Sequence, residues 1–133
     1  MKRVTGLGGI FFKSKEPKEL TSWYDKHLGL NFGKNTWSTF KWRERDNPDQ
    51  IGRTEFSVFS ATTDYYAPSN SPFMFNFRVE NLEQLIEILR GEGVTIVGDI
   101  EVYEYGKFGW ILDPEGNKIE LWEPIDKPLE QME

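Results

Sequence analysis

The stretch Phe108-Gly109-Trp110-Ile111-Leu112-Asp113-Pro114-Glu115-Gly116-Asn117-Lys118-Ile119-Glu120-Leu121-Trp122-Glu123-Pro124 decides the architecture. Asp113-Pro114-Glu115-Gly116-Asn117 carries the residue types of a tight turn. It predicts a hairpin between strands at Lys107 to Asp113 and Lys118 to Glu123. Side chains alternate across a strand, so Ile119 and Leu121 share one face, and Lys118, Glu120 and Trp122 share the other. The last strand is thus apolar on one side, with a carboxylate beside a tryptophan on the other.

The segments before the hairpin follow the same logic. Phe73 to Val79 reads as a strand with Phe75, Phe77 and Val79 on one face and Met74, Asn76 and Arg78 on the other. Leu82, Leu85, Ile86 and Leu89 recur at helical spacing behind Asn81, a good N-cap, and Gly91 or Gly93 ends the run. Val94 to Val97 is expected as a further strand. The earlier half repeats the pattern. Arg3 to Lys13 is a strand with glycines at 6, 8 and 9, which lets something approach its backbone closely. A helix begins near Pro17, runs through Leu20, Trp23, Tyr24, His27 and Leu28, and stops at Gly29. Trp37 to Arg43 and Thr54 to Ser60 are strand candidates, separated by the turn-rich 46–50. A shift of 65 carries Gly9 to Met74, Ile10 to Phe75, Phe12 to Phe77 and Leu20 to Leu85. The chain reads as a duplication: one domain over 1–133, with module one at about 3–60, a linker over 61–72, module two at about 73–124 and a tail over 125–133.

Composition narrows the function classes. A chain of 133 residues can bury a real core without covalent staples. Its net charge of -6 repels a phosphate backbone, which argues against nucleic acid. With no cysteine there is no disulfide, zinc–thiolate site or thiol nucleophile, and a single histidine excludes a His-rich metal centre. No apolar run approaches the roughly 20 residues of a membrane span, and Met1-Lys2-Arg3 leads into no signal-like stretch. No membrane partner is expected, and the expected compartment is the cytoplasm.

Transferred through the repeat, the non-helical face carries Phe11, Met74, Asn76, Arg78, Lys118, Glu120 and Trp122. Large aromatics do not favour a flat wet surface, so this face is expected to curl into a cup. Tyr103 to Trp110, dense in aromatics between glycines, reads either as a shielding edge strand or as a lip whose Tyr105 and Trp110 stack on a planar ligand. Asp64-Tyr65-Tyr66 could supply a second wall.

Two stretches carry a family resemblance. Trp23-Tyr24-Asp25-Lys26-His27-Leu28-Gly29-Leu30 resembles the first-helix end of the vicinal oxygen chelate superfamily, and Asp113-Pro114-Glu115-Gly116-Asn117-Lys118-Ile119-Glu120-Leu121 resembles its carboxy-terminal signature. That superfamily holds glyoxalase I, bleomycin-resistance proteins and extradiol dioxygenases. The resemblance implies an α+β fold of two βαβββ modules whose curved sheets form a cup. In metal-dependent members, the first and last strand of each module supply the inward positions that hold an ion. Here Gly9 and Met74 fall at the opening positions and Glu120 at the second closing position. The first closing position lies within Thr54 to Ser60, where Glu55 is the one carboxylate. Gly9 offers no donor and Met74 only a soft thioether, so no metal or other cofactor is expected, and a divalent ion is disfavoured.

Glu120 is the candidate catalytic residue. It can also be a structural partner of Lys118, Arg78 or Asn76, or orient a donor-rich ligand. Phe11, Met74, Asn76, Arg78, Tyr105, Trp110 and Trp122 are the candidate ligand-binding residues. Two functions compete: a metal-independent binder of a small organic ligand, like the bleomycin-resistance branch, and a metal-assisted lyase or isomerase of the glyoxalase type using Glu120. Open sheet edges and an aromatic face predict a homodimer.

Overall fold

A computed structural model describes residues 2–125; most of the expected tail lies outside the described residues. The strands are β1 (Val4–Ser14), β2 (Trp37–Arg43), β3 (Ile51–Ser60), β4 (Phe73–Val79), β5 (Glu101–Tyr103), β6 (Gly106–Leu112) and β7 (Lys118–Pro124). The helices are α1 (Pro17–Leu28) and α2 (Leu82–Gly91). All seven strands form one mixed sheet in the order β2-β3-β1-β4-β7-β6-β5. This is the α+β fold of paired, curved modules that the sequence predicts. The halves meet through the antiparallel pair β1–β4, and each half closes with a parallel pair, β1–β3 and β4–β7.

The alternation read from β7 and β4 holds. Val79 and Leu121 pack with Leu82, Leu85 and Ile86 of α2 in a core on the convex side of the sheet. Each such side chain contributes about 1.5–3 kcal/mol by leaving water. Phe11, Met74, Tyr66 and Trp110 form a second buried cluster on the opposite, concave side. Asn81 starts α2 as expected, its side chain accepting from the Gln84 amide, while Glu123 accepts from the Leu82 amide. The Asp113 carboxylate takes the amides of Glu115 and Asn117 and the Asn117 side chain, with Gly116 at φ 81°. The 113–117 segment is therefore a self-bonded turn that sets the β6–β7 register.

Several local expectations change. Val94 to Val97 is not a strand. It keeps a single bridge, Ile96 to Ile111, and the third partner of this half is Glu101–Tyr103, beyond Gly98 at φ 70°. The first half has two strands after its helix where the second has three. Helix α1 buries only Thr21; Trp23, His27 and Leu28 are exposed, because α1 lies over β1 and β3 on its other side. His27 packs its ring on Trp23 at 5.0 Å and faces no core. Phe75, expected beneath a helix, is 40% exposed: α2 covers β6 and β7, leaving the Phe75 ring tilted against that of Phe73 at 5.0 Å.

Candidate functional site

The concave face holds a cavity of about 520 Å³. Phe11 and Gly8 of β1, Glu55, Ser57 and Phe59 of β3, and Asn76 of β4 line it. Phe108 of β6, Glu120 and Trp122 of β7, and Trp37 line it too. Tyr65 and Tyr105 complete the wall from loops at opposite ends of the sheet.

Strand register fixes what spacing left open. Gly9 pairs with Glu55 across β1–β3, and Asn76 pairs with Glu120 across β4–β7. Glu55 is therefore the first-module counterpart of Glu120. Gly9 also pairs with Asn76 across β1–β4, so the second opening position is Asn76 and not Met74. The shift of 65 relates Glu55 to Glu120 but not the opening strands, because Gly9 precedes Glu55 by 46 residues and Asn76 precedes Glu120 by 44. Separately, β1 is irregular between Leu7 and Gly9. A bulge of that kind adds a residue to one strand and re-aims its side chains. Gly8 then faces the cavity: a Cβ there would meet the Asn76 Oδ1, and a Cβ at Gly9 would meet the Phe11 ring. The glycines predicted to admit a close neighbour admit these two side chains.

Glu120 is 2% exposed and heavily bonded. Its Oε1 accepts from the Asn76 Nδ2 at 2.6 Å. Its Oε2 accepts from the Trp110 Nε1 at 2.9 Å and from the Tyr65 hydroxyl. Burial pushes the carboxyl pKa up, against the pull of the bonds from Tyr65, Asn76 and Trp110 and of the Lys118 charge. Three donors aimed at one carboxylate suit its ionised, acceptor-only form. The Tyr65 phenol is pushed up in turn, by burial first and then by the Glu120 charge. Lys118 fixes Tyr65 from behind: its ammonium donates to the Tyr65 carbonyl at 2.8 Å and sits over the Tyr65 and Trp110 rings at 5.3 and 5.5 Å.

Glu55 stands in different company. The Thr39 hydroxyl donates to its Oε2 at 2.7 Å. Burial raises its pKa, opposed by the Thr39 bond and by the Arg53 and Arg78 charges.

The candidate residues divide. Phe11, Asn76, Tyr105, Glu120 and Trp122 line the cavity. Met74, fully buried, supports the floor with Tyr66 and Trp110, while Arg78 is buried between the indoles of Trp42 and Trp122, its guanidinium carbon 5.4 and 5.2 Å from their ring centres. Stacked pairs build the walls: Phe59 on Tyr65 at 5.7 Å and Phe108 on Trp122 at 5.8 Å. For Ser57, Phe59 and Phe108, which the sequence reading passes over, the available signal is alternation within β3 and β6 once Glu55 and Trp110 fix the inward parity; Trp37, on β2, is placed only by its pairing with Ser57.

The inward strand positions at which the resemblance implies a divalent ion carry few donors for one. The first-strand position, Gly9, has no side chain, and the Phe11 ring fills the space above it. Glu120 is committed to three protein donors, and among the described residues no group of three His, Cys, Asp or Glu is placed to hold an ion. These residues do not fit a hard divalent ion.

The sheet, its concave site and the terminal turn define a small cup-forming protein of paired modules. Residues 10–121 match the Glyoxalase/Bleomycin resistance protein/Dioxygenase superfamily, and the chain belongs to that family. No curated protein is matched by its sequence. Among solved structures, it resembles methylmalonyl-CoA epimerase from Mycobacterium tuberculosis, with a TM-score of 0.62 at 18% identity over 98% of this chain and 95% of that one. It also resembles the Streptomyces coelicolor methylmalonyl-CoA epimerase in complex with 2-nitronate-propionyl-CoA, with a TM-score of 0.67 at 13% identity over 92% and 99%. The Mn(II)-bound glyoxalase from Novosphingobium aromaticivorans follows, with a TM-score of 0.60 at 15% identity over 92% of this chain and 40% of that one. At such identities the likeness carries the fold alone. No helix among the described residues is long and apolar enough to cross a membrane.

Proposed function

We propose that this chain binds a small planar organic ligand in its concave cup, without a divalent metal at the strand positions that hold one elsewhere in the family. The observation that carries the reading is the pairing of a saturated Glu120 with aromatic walls. A carboxylate already taking three protein hydrogen bonds has little left for an ion, while Phe11, Phe59, Tyr65, Phe108 and Trp122 present flat apolar surface around about 520 Å³. Asn76, Tyr105 and Trp122 contact the ligand directly in this reading; Met74, Arg78 and Trp110 support the walls.

The competing reading, a metal-assisted lyase or isomerase, draws on the Tyr65–Glu120 pair, in which a basic carboxylate could take a proton through a phenol. Calorimetry with nickel, zinc, manganese and iron(II) separates the two. The binder reading expects at most weak, non-stoichiometric heats. Submicromolar one-to-one binding that vanishes in Glu120→Ala would overturn it in favour of the enzyme.

A homodimer belongs to the same proposal. Trp23 and Leu28 on α1, and Trp37 and Phe40 on β2, are exposed at one end of the sheet, where a second copy would shield them.

A further inference from the structure

We infer that a second copy of this chain seats on the mouth of the cup, the basic lip at β2 of each copy meeting the acidic lip at β5 of the other. This rests on the homodimer proposed above and names its contact surface.

The lips are the outermost strands of the sheet, β2 and β5, and each leaves one side of its ladder unpaired. Exposed apolar side chains stand at both: Trp37 and Phe40 on β2, and Val102 and Tyr103 on β5 with Tyr105 beside it. An edge that is both unpaired and apolar is a template for another chain.

Their charges are opposite. Residues 34–45 hold Lys34, Lys41, Arg43 and Arg45 against Glu44 alone, whereas 98–106 hold Asp99, Glu101 and Glu104 with no Lys or Arg. Lys107, the base across the ladder from β5, is paired with Glu83 at 2.9 Å. The asymmetry runs through the whole chain: Lys and Arg outnumber Asp and Glu eleven to seven over 1–60, and are outnumbered fifteen to five over 61–133. Like lips therefore repel and unlike lips attract, which disfavours β2 against β2.

A contact between unlike lips either grows into an open chain or closes on itself. Trp37 and Tyr105 line one cavity from its two sides, so both lips border the same mouth. One partner turned by a two-fold axis reaches both, and the assembly closes at two copies. The second copy then roofs the cavity and takes the aromatic rim out of water.

The test is light scattering at micromolar concentration and low salt on two sets of exposed charge reversals. One combines Lys34→Glu, Arg43→Glu and Arg45→Glu at the β2 lip; the other combines Asp99→Lys, Glu101→Lys and Glu104→Lys at the β5 lip. The wild type is expected at twice the 15.6 kDa chain mass. Each variant alone is expected to be monomeric, its dissociation constant raised about tenfold or more, because both of its lips then carry one sign. An equimolar mixture of the two is expected to return to the dimer mass, since acidic lips again face basic ones. A dimeric variant, or a mixture that stays monomeric, would overturn the lip pairing while leaving the wild-type homodimer in place. A wild-type mass that climbs past the dimer with concentration would overturn the closure. A monomeric wild type would overturn the homodimer and this inference together, with the cup as a ligand site untouched. Should a variant lose the native circular dichroism spectrum, the wild type carries the test by itself. Its dissociation constant is expected to rise about tenfold between about 0.05 M and about 0.5 M salt; an unchanged or smaller constant would overturn the inference.

Discussion

Glu55 and Glu120 both hold their protons to higher pH in the folded chain than in the unfolded one, because burial disfavours the charged form. The sign follows by linkage. The stability each lends is present below the ordinary carboxylate pKa of 4.5 and is lost as pH rises through the raised folded value. Glu120→Gln keeps the shape without the charge, and Asn76 can turn its amide to meet the new donor. Its melting temperature relative to wild type should therefore move in the variant's favour as pH rises above 4.5. Melts showing a constant or opposite difference would contradict this. At Gly8 the limit is space. An added Cβ meets the Asn76 side chain that bonds Glu120, so Gly8→Ala should destabilise by about 1–3 kcal/mol in urea denaturation. A neutral substitution would mean that Asn76 does not fill that space.

Among the elements, α2 and the β6–β7 hairpin were readable because every local signal in them agrees: a capping Asn81, apolar residues at helical spacing, a turn closed by Asp113, and clean alternation through Ile119 and Leu121. Asn81→Ala should cost about 1 kcal/mol in chemical denaturation. An unchanged midpoint would assign the cap to Glu123, which bonds the Leu82 amide. Legibility failed where long-range geometry decides. The span from opening to closing strand is two residues shorter in the second half, 44 against 46, which leaves no periodic trace, so a constant offset puts Met74 where Asn76 stands. The apolar spacing of α1 suggested a buried stripe, yet Trp23 is 51% exposed, since amphipathic spacing does not reveal whether a neighbour lies opposite. Val94 to Val97 has strand-like residues but meets only one partner at Ile96. Its strand role passes to Glu101–Tyr103, where Tyr103 and Tyr105 stack at 5.6 Å.

For the whole molecule, the two-module duplication, the curved sheet and the identity of its concave face could be argued from the chain alone. The bonding of the concave face could not, because it depends on contacts between residues far apart in sequence. Tyr65, from the segment joining the modules, closes over Glu120, and no local pattern announces that contact. The assembly proposal makes its own prediction: light scattering at micromolar concentration should give twice the 15.6 kDa chain mass, and a persistent monomer would contradict it. The cup itself is tested most directly by the indole N–H signals of the five tryptophans in a ¹⁵N-labelled sample titrated with 2-methoxynaphthalene. Trp37 and Trp122 line the cavity and Trp23 lies outside on α1, so the account predicts saturable shifts of the first two with Trp23 unmoved. Shifts confined to Trp23, or none at saturating probe, would contradict an organic-ligand cup on the concave face.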